Sequence, residues 1–247
     1  MTQRLRVCAL LPAYNEADII EATIVALLNH DIITSIVIVD DGSTDDTFEI
    51  ASRISANVMA IKQSNAGKGA ALTRAYAEAR DTAEIFLLLD SDLGASASEA
   101  IKLLHPVLSD EADMTIGMLP PDPTFAASNR SGGMGFVVRL ARWGIKQAAG
   151  LECVQPLSGQ RAVRREVIES FGGRFAAGFG VEVDLTIKTV RSGYRVVEIP
   201  TYFRHRVTSS DMPGIVHRAR QFIDVARVVA RSTKVTASRT VSPVPGD

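Results

Sequence analysis

Short apolar runs that alternate with helical patterns constrain the fold of this chain more than any other feature. The runs are rich in β-branched residues and comprise Val7–Leu11, Ile36–Val39, Val58–Ile61, Ile85–Leu89 and Met114–Gly117. Strands that are apolar on both faces are typical of a parallel sheet covered by helices on both sides. Helical patterns separate the runs, near residues 17–28, 45–55, 68–80 and 96–108. The first half therefore predicts an α/β fold with right-handed crossovers and a doubly wound sheet.

The second half predicts fewer and shorter elements. After a segment rich in Pro, Ser, Asn and Gly, we expect a helix over residues 134–149, a strand over 160–163, helices near 164–170 and 181–191, and an amphipathic helix over 213–231. A last strand pair, Val196–Ile199 and Tyr202–His205, is predicted around Pro200. We interpret residues 1–231 as a single domain, with halves divided near residue 118, and residues 232–247 as a flexible polar tail.

Composition excludes several classes of protein. The formal charge of −1 over 247 residues argues against a nucleic-acid binder that relies on a basic surface. No apolar run approaches the roughly 18 residues of a membrane span, and the first residues lack the pattern of a signal peptide. The two cysteines, Cys8 and Cys153, have no paired spacing. We expect both to be reduced core residues of a cytoplasmic protein.

Polar side chains follow four of the predicted strands. The segments are Pro12-Ala13-Tyr14-Asn15-Glu16, Asp40-Asp41-Gly42-Ser43, Asn65-Ala66-Gly67-Lys68-Gly69 and Asp90-Ser91-Asp92. Any one of them could merely form a turn or cap a helix, but parallel strands bring their carboxyl ends to one edge, where ligands bind. Carboxylates crowded there repel one another and call for a compensating cation. Hard oxygen ligands favour magnesium or manganese over zinc.

These segments resemble a family of nucleotide-sugar glycosyltransferases, family 2, which has the GT-A fold. The matching text is L-P-A-Y-N-E, V-I-V-D-D-G-S-T-D-D-T, N-A-G-K-G-A-A-L and L-L-L-D-S-D-L. The resemblance implies a Rossmann-like, mixed but mostly parallel sheet flanked by helices. It implies that the first two segments cradle the base and ribose of the donor, through Pro12, Ala13, Tyr14, Glu16, Asp41, Gly42 and Ser43.

The resemblance also implies roles for the segment Asp90-Ser91-Asp92, which we call the D-x-D segment, and for Lys68. Asp92 is implied to be the direct metal ligand, and Asp90 to face the ribose or a metal-bound water, with Ser91 between them. Lys68 could add a positive contact to the donor diphosphate, although a lysine at a helix start is often only solvated. A metal would stabilise the negative charge that grows on the departing nucleoside diphosphate.

Two later segments extend the resemblance to the acceptor side. P-L-S-G-Q-R-A suggests acceptor contacts from Ser158 and Gly159, and G-F-G-V-E-V-D-L suggests one from Gly180. Glu182 or Asp184 would occupy the position of the acid that contacts the acceptor hydroxyl. The alternative for both acids is a helix start, where the macrodipole favours negative charge.

A histidine flanked by arginines follows the last strand. His205 resembles the late histidine that completes the metal site in retaining relatives of the glucosyl-3-phosphoglycerate synthase family. Arg204 and Arg206 would then favour a diphosphate or a phosphorylated acceptor. The alternative is a basic surface patch.

A later segment also resembles a second group of enzymes, the polyprenyl-phosphate sugar transferases. It reads V-E-V-D-L-T-I-K-T-V-R-S-G-Y-R-V-V-E-I-P. The helix 213–231 could then meet a membrane surface, or it could pack on a homodimer partner. The sequence thus predicts a metal-dependent transfer of hexose, with UDP-sugar as donor, to an acceptor that stays open, as does the stereochemistry. Two rivals are a sugar-phosphate nucleotidyltransferase, whose glycine-rich loop after the first strand is missing here, and a non-catalytic nucleotide-sugar binding module.

Overall fold

The computed structural model describes residues 5–118, 134–205 and 223–232. Its strands are β1 (Val7–Ala13), β2 (Ile33–Asp40), β3 (Val58–Lys62), β4 (Ile85–Leu88), β5 (Met114–Met118), β6 (Arg161–Arg164) and β7 (Val196–Pro200). They form one sheet in the order β3-β2-β1-β4-β6-β5-β7.

The helices lie between these strands. They are α1 (Ile20–Leu28), α2 (Thr47–Ala51), α3 (Lys68–Ala79), α4 (Ala100–Leu108), α5 (Met134–Ala149), α6 (Arg165–Ser170) and α7 (Val181–Arg191), followed by α8 over residues 223–232. Short 3-10 helices, Gly94–Glu99 and Gly178–Gly180, precede α4 and α7.

Strand direction decides which loops meet. Strands β1 to β4 run parallel to one another, and β5 runs parallel to β7. Strand β6 lies antiparallel between β4 and β5, with Leu88 opposite Arg161. The sheet is therefore mixed and mostly parallel, as predicted. The end of β4 and the start of β6 lie at the same edge, so the loops that leave β1, β2 and β4 meet the loop that enters β6.

The core forms a layer on each face of the sheet. Strand β1 shows the division: Val7, Ala9 and Leu11 pack with α1, α2 and α4, whereas Cys8 and Leu10 pack with α3 and the helices from α5 onward. All five residues are fully buried. This two-sided burial explains why the strand reads as a continuous apolar run.

Most predicted elements are confirmed within a few residues. The predicted strand Tyr202–His205 is wrong, because residues 201–205 form no strand in the structure. Their backbone groups form hydrogen bonds outside any strand; for example, the Tyr202 amide donates to the Glu99 carboxylate at 2.9 Å. Of the predicted helix 213–231, the part up to residue 222 lies outside the described residues, as do the segment 119–133 and the tail from residue 233.

Two broader predictions have different outcomes. The single domain over residues 1–231 stays a prediction, since part of it is not described. Cys8 and Cys153 are both buried and free, as the sequence predicts.

Among the described residues, no helix has the length and apolar character that crossing a membrane requires.

Candidate active site

Hydrogen bonds interlock the loops that leave β1 and β2. The Ser43 hydroxyl accepts from the Asn15 amide at 2.9 Å, and the Asn15 side-chain oxygen accepts from the Thr44 amide at 2.9 Å. Asn15 has φ 57°, a left-handed conformation that asparagine tolerates better than most residues. The Thr47 hydroxyl accepts from the Glu16 amide at 2.8 Å. These two loops, predicted to cradle a nucleotide, therefore form one surface. The Tyr14 side chain lies on it and is about half exposed.

The two aspartates at the end of β2 have different surroundings. Asp41 accepts hydrogen bonds from the Gln63 side chain at 2.7 Å and from the amides of Ala66 at 2.9 Å and Gly67 at 2.7 Å. Its carboxylate thus shapes the loop before α3. The Asp40 Oδ1 atom accepts from the Ser43 amide, whereas its Oδ2 atom is buried without a hydrogen-bond partner in the described part of the chain. Of these two aspartates, Asp40, which was not a predicted site residue, is the one with an unused acceptor atom.

The start of α3 brings Lys68 to the centre of the site. Gly67 has φ 88°, which turns the chain into the helix at a conformation that suits glycine. A side chain at Gly69 would lie 1.8 Å from the Ala176 carbonyl oxygen, so only glycine permits this approach to the loop before α7. Because α3 and that loop touch, the Lys68 ammonium reaches both Asp90, at 2.6 Å, and Glu182, at 2.8 Å.

The two candidate acids of α7 lie on different faces of the helix. Glu182 is buried and faces Lys68. Asp184 is two residues on, roughly 200° around the helix, and pairs with Lys188 at 2.7 Å. The structure therefore brings Glu182, but not Asp184, to the lysine and the D-x-D segment.

The carboxylate of Asp90 is held on both oxygens. Oδ1 accepts a hydrogen bond from the Lys68 ammonium, and Oδ2 accepts one from the Gln160 side-chain nitrogen at 2.6 Å. A side chain at Gly159 would lie 2.6 Å from the Lys68 Nζ atom and 2.8 Å from Asp90 Oδ2. The antiparallel register explains this contact, because continuing the pairing two residues beyond Leu88 and Arg161 sets Asp90 against Gly159.

Asp92 lies beside His205. Its Oδ1 atom is 3.0 Å from the His205 Nδ1 atom. Asp90, Asp92 and His205 each offer one ligand atom, and these atoms all lie within 4.8 Å of one another. The two carboxylates offer the hard oxygen ligands that Mn²⁺ and Mg²⁺ favour, and the imidazole offers one nitrogen ligand beside them.

The charges of the cluster shift several pKa values. Burial alone would lower the pKa of Lys68, but the charges of Asp90 and Glu182 outweigh it and raise that pKa. Burial would raise the pKa of Asp90, but the Lys68 ammonium lowers it. Likewise, the Asp92 hydrogen bond and charge outweigh burial and raise the pKa of His205. Three carboxylates and one lysine gather here, so the cluster has excess negative charge that a divalent cation would balance.

The remaining candidates lie in varied places. Ser158 is buried and donates to the Gln160 side chain at 3.1 Å. Ser91 is also buried, and its carbonyl oxygen accepts from the Thr23 hydroxyl. A side chain at Gly180 would lie 2.6 Å from Val228 in α8, so this glycine packs against a helix. Arg204 is exposed.

Arg206 lies outside the described residues. Asn15, Asp40 and Gln160 also lie in the candidate site but were not predicted as site residues. Each of them stands within a segment quoted above, so the position of Asn15 and Asp40 at the end of a strand, and of Gln160 just before one, was the signal that could have found them.

The site segments from Pro12 to Arg161 fall within a match to a known family. Residues 8–170 match the family described as glycosyl transferase family 2. The chain is 32% identical to glycosyltransferase AglJ of Haloferax volcanii over 205 residues, which cover 83% of this chain and 65% of that protein. It is 33% identical to glucosyl-3-phosphoglycerate synthase of Mycobacterium tuberculosis over 199 residues, covering 74% and 60%. The chain thus spans less than two thirds of the length of these two relatives.

A further relative and a solved structure are also similar. The polyprenol monophosphomannose synthase of Mycolicibacterium smegmatis is 28% identical over 211 residues, covering 81% of this chain and 78% of that protein. A crystal structure of the Mycobacterium tuberculosis glucosyl-3-phosphoglycerate synthase, in complex with Mn²⁺, UDP-glucose and phosphoglyceric acid, superposes with a TM-score of 0.72 at 26% identity. The match covers 92% of this chain and 80% of that one. The fold is therefore GT-A, as the resemblance implied.

Proposed function

The chain belongs to glycosyl transferase family 2, and we propose that it is a metal-dependent glycosyltransferase that moves a hexose from UDP-sugar to a small, phosphorylated acceptor. The observation that carries this proposal is the convergence of Asp90, Asp92 and His205 beside Lys68. It supplies the cation site and the positive side chain that a sugar diphosphate donor needs.

The donor side would be formed by the loops after β1, β2 and β4. Asp92 and His205 would hold Mn²⁺ or Mg²⁺, which when bound stabilises the negative charge of the departing nucleoside diphosphate. Asp40 has one buried acceptor atom without a partner among the described residues, and the hydroxyl-lined surface around Ser43 would take the base and ribose. Lys68 would contribute positive charge near the diphosphate.

The acceptor side would be formed by the start of α7 and the loop before β6. Glu182 lies at the first turn of α7 with its carboxylate on Lys68, so it could orient an acceptor hydroxyl within hydrogen-bond reach. Gly159 leaves open the space beside Asp90 and Lys68 that a side chain would fill. Arg204, exposed next to His205, could attract a phosphate of the acceptor. Asp184, bound to Lys188, contributes less to this account.

A second candidate acceptor is a polyprenyl phosphate at a membrane surface. Helix α5 favours it, because Phe136 and Trp143 are each more than half exposed there. Exposed Arg139 and Arg142 lie on the same helix, which contains no acidic residue. Exposed aromatic and basic side chains on one helix are typical of segments that lie at a membrane interface.

The proposal extends to the cellular location and to protein or membrane partners. The free, buried cysteines support a cytoplasmic protein. A homodimer or a membrane contact through the helix predicted over 213–231 stays a proposal, since only residues 223–232 of that region are described.

A donor and acceptor screen tests the function. UDP-glucose and other nucleotide-sugars are incubated with Mn²⁺ or Mg²⁺, with either phosphoglyceric acid or a polyprenyl phosphate, and released nucleoside diphosphate is measured. We expect release that depends on both metal and acceptor and is abolished by a chelator. Donor binding without turnover for any acceptor would instead support the non-catalytic binding module.

A further inference from the structure

Gln160 occupies the position between the acceptor-side loop and the D-x-D segment. Only 1% of it is exposed. Its side-chain nitrogen donates to Asp90 Oδ2 at 2.6 Å, and its side-chain oxygen accepts from the Ser158 hydroxyl at 3.1 Å. Its backbone oxygen accepts from the Gly117 amide at 2.8 Å. A buried amide bonded at both ends has a single orientation, because a carboxylate can only accept.

The consequence for Asp90 is that both of its oxygens are already bound. Oδ1 accepts from Lys68, and Oδ2 accepts from Gln160. Each oxygen keeps a further lone pair, but the two charge-assisted hydrogen bonds, which are stronger than neutral ones, fix the direction in which the carboxylate can offer it. Asp92 faces the imidazole of His205 instead. The two aspartates of the segment therefore have different roles.

We propose that Gln160 is a positioning residue of the donor site: its amide fixes the Asp90 carboxylate against Lys68, in the orientation that a metal-bound nucleotide needs beside Asp92 and His205. The inference rests on the proposed function, since it assumes a metal-bound nucleotide in this site. In this arrangement Asp90 anchors Lys68, and Lys68 in turn anchors Glu182. Loss of the Gln160 amide would release Asp90 Oδ2, and the carboxylate could then rotate away from the orientation in which it holds Lys68 beside the cation.

The test is UDP binding by calorimetry, measured with Mn²⁺ and with a chelator. Gln160→Leu has a similar volume but no hydrogen-bonding groups. We expect it to lower the Mn²⁺-dependent affinity for UDP by about tenfold, the scale of a lost hydrogen bond to a charged group. Affinity with chelator should be unchanged. An equal loss in both conditions would overturn the inference, because general damage to the site does not depend on metal.

A double-mutant cycle separates positioning from packing. If Gln160 acts through Asp90, adding Gln160→Leu to Asp90→Asn should change the Mn²⁺-dependent affinity by less than about twofold. Effects that multiply in full would overturn the inference. Thr189→Val is the matched control, since it removes another buried hydrogen bond, from the Thr189 hydroxyl to the Leu185 carbonyl oxygen, and should leave UDP affinity unchanged.

Two further measurements keep the outcome decisive. If Gln160→Leu does not fold, Gln160→Met replaces it and carries the same expectation, with the melting temperature compared against Thr189→Val. If wild-type protein shows no metal-dependent UDP binding, the proposed function fails and the inference fails with it. Metal-dependent binding in wild type that Gln160→Leu leaves unaltered contradicts the inference alone.

Discussion

The Nδ1 atom of His205 lies 3.0 Å from the Oδ1 atom of Asp92, although the residues are 113 positions apart. Contacts between the two chain segments produce this pairing. The Ser96 hydroxyl accepts from the Arg204 amide at 2.9 Å, and the Thr201 amide donates to the Met118 carbonyl oxygen at 2.8 Å. The chain after β7 is thus held along the 3-10 helix that follows the D-x-D segment. An imidazole placed there lies within reach of the cation that we propose Asp92 to bind.

The pairing predicts a metal-specific effect of His205→Ala. With Mn²⁺ present, UDP affinity should fall by at least about tenfold, the scale seen for residues that support a metal ligand. With chelator, UDP affinity should not change, since the imidazole would contact the cation and not the nucleotide. Equal losses in both conditions, measured by calorimetry, would show that His205 acts only in surface packing.

The position of Glu182 predicts the opposite pattern. Glu182→Gln should lower the transfer rate by about 100-fold or more, the scale of a lost general base or hydroxyl-orienting group. Affinity for UDP with Mn²⁺ should stay near the wild-type value, because glutamine can still accept a hydrogen bond from Lys68. Asp184→Asn is the matched control on the same helix, and its rate should change little. Near-normal transfer by Glu182→Gln would contradict the acceptor-side assignment.

Gly159 predicts a steric effect at the same cluster. The added Cβ of Gly159→Ala would lie 2.6 Å from Lys68 Nζ and 2.8 Å from Asp90 Oδ2, so these groups must move. We expect transfer to fall at least tenfold, measured as released UDP. The control is Gly172→Ala, at φ +79° with nothing within 4 Å of the added atom. It should lower the melting temperature without altering transfer; the same loss of transfer in both variants would refute the steric explanation.

Asp113 predicts a pH-dependent contribution to stability. The hydrogen bonds from the Arg195 side chain lower the pKa of Asp113 despite partial burial. A lowered pKa means that the stabilisation is present above the unfolded-state value, about 3.9, and is lost as the pH falls through the folded-state value. Asp113→Asn should therefore lower the melting temperature by about 2–4 °C at pH 7 and by much less near pH 2.

Exposed Asp31 supplies the comparison for that experiment. Asp31→Asn removes a surface carboxylate and should leave the melting temperature near the wild-type value at pH 7. A difference between wild type and Asp113→Asn that is as large at pH 2 as at pH 7 would show that the side chain stabilises by packing alone.

Much of the donor side could be predicted from the sequence, because parallel strands deliver their carboxyl ends to one edge. The segments after β1, β2 and β4 follow from that rule alone. The direction of β6 could not be predicted this way, since a run as short as Arg161–Arg164 does not reveal its partner strands. The antiparallel placement of β6 is what brings Gly159 and Gln160 to Asp90.

The two carboxylate partners of Lys68 could not be predicted from the residue pattern, and His205 was placed near Asp92 only by the family resemblance. The helical period places Glu182 and Asp184 on different faces of α7, but only the ion pair in the structure shows that Glu182 is the one that faces Lys68. His205 was predicted at the end of a strand that does not form. His205 nevertheless lies beside Asp92, because the Ser96 hydroxyl and other groups hold the chain after β7 there.

The central claim is that Asp92 and His205 hold a cation through which the donor diphosphate binds. UDP calorimetry of wild type and Asp92→Ala, each with and without Mn²⁺, tests it most directly. We predict tighter UDP binding by wild type when Mn²⁺ is present, and loss of that gain in Asp92→Ala, because a hard oxygen ligand is removed. Equal UDP affinity of the two proteins in the presence of Mn²⁺ would contradict the account.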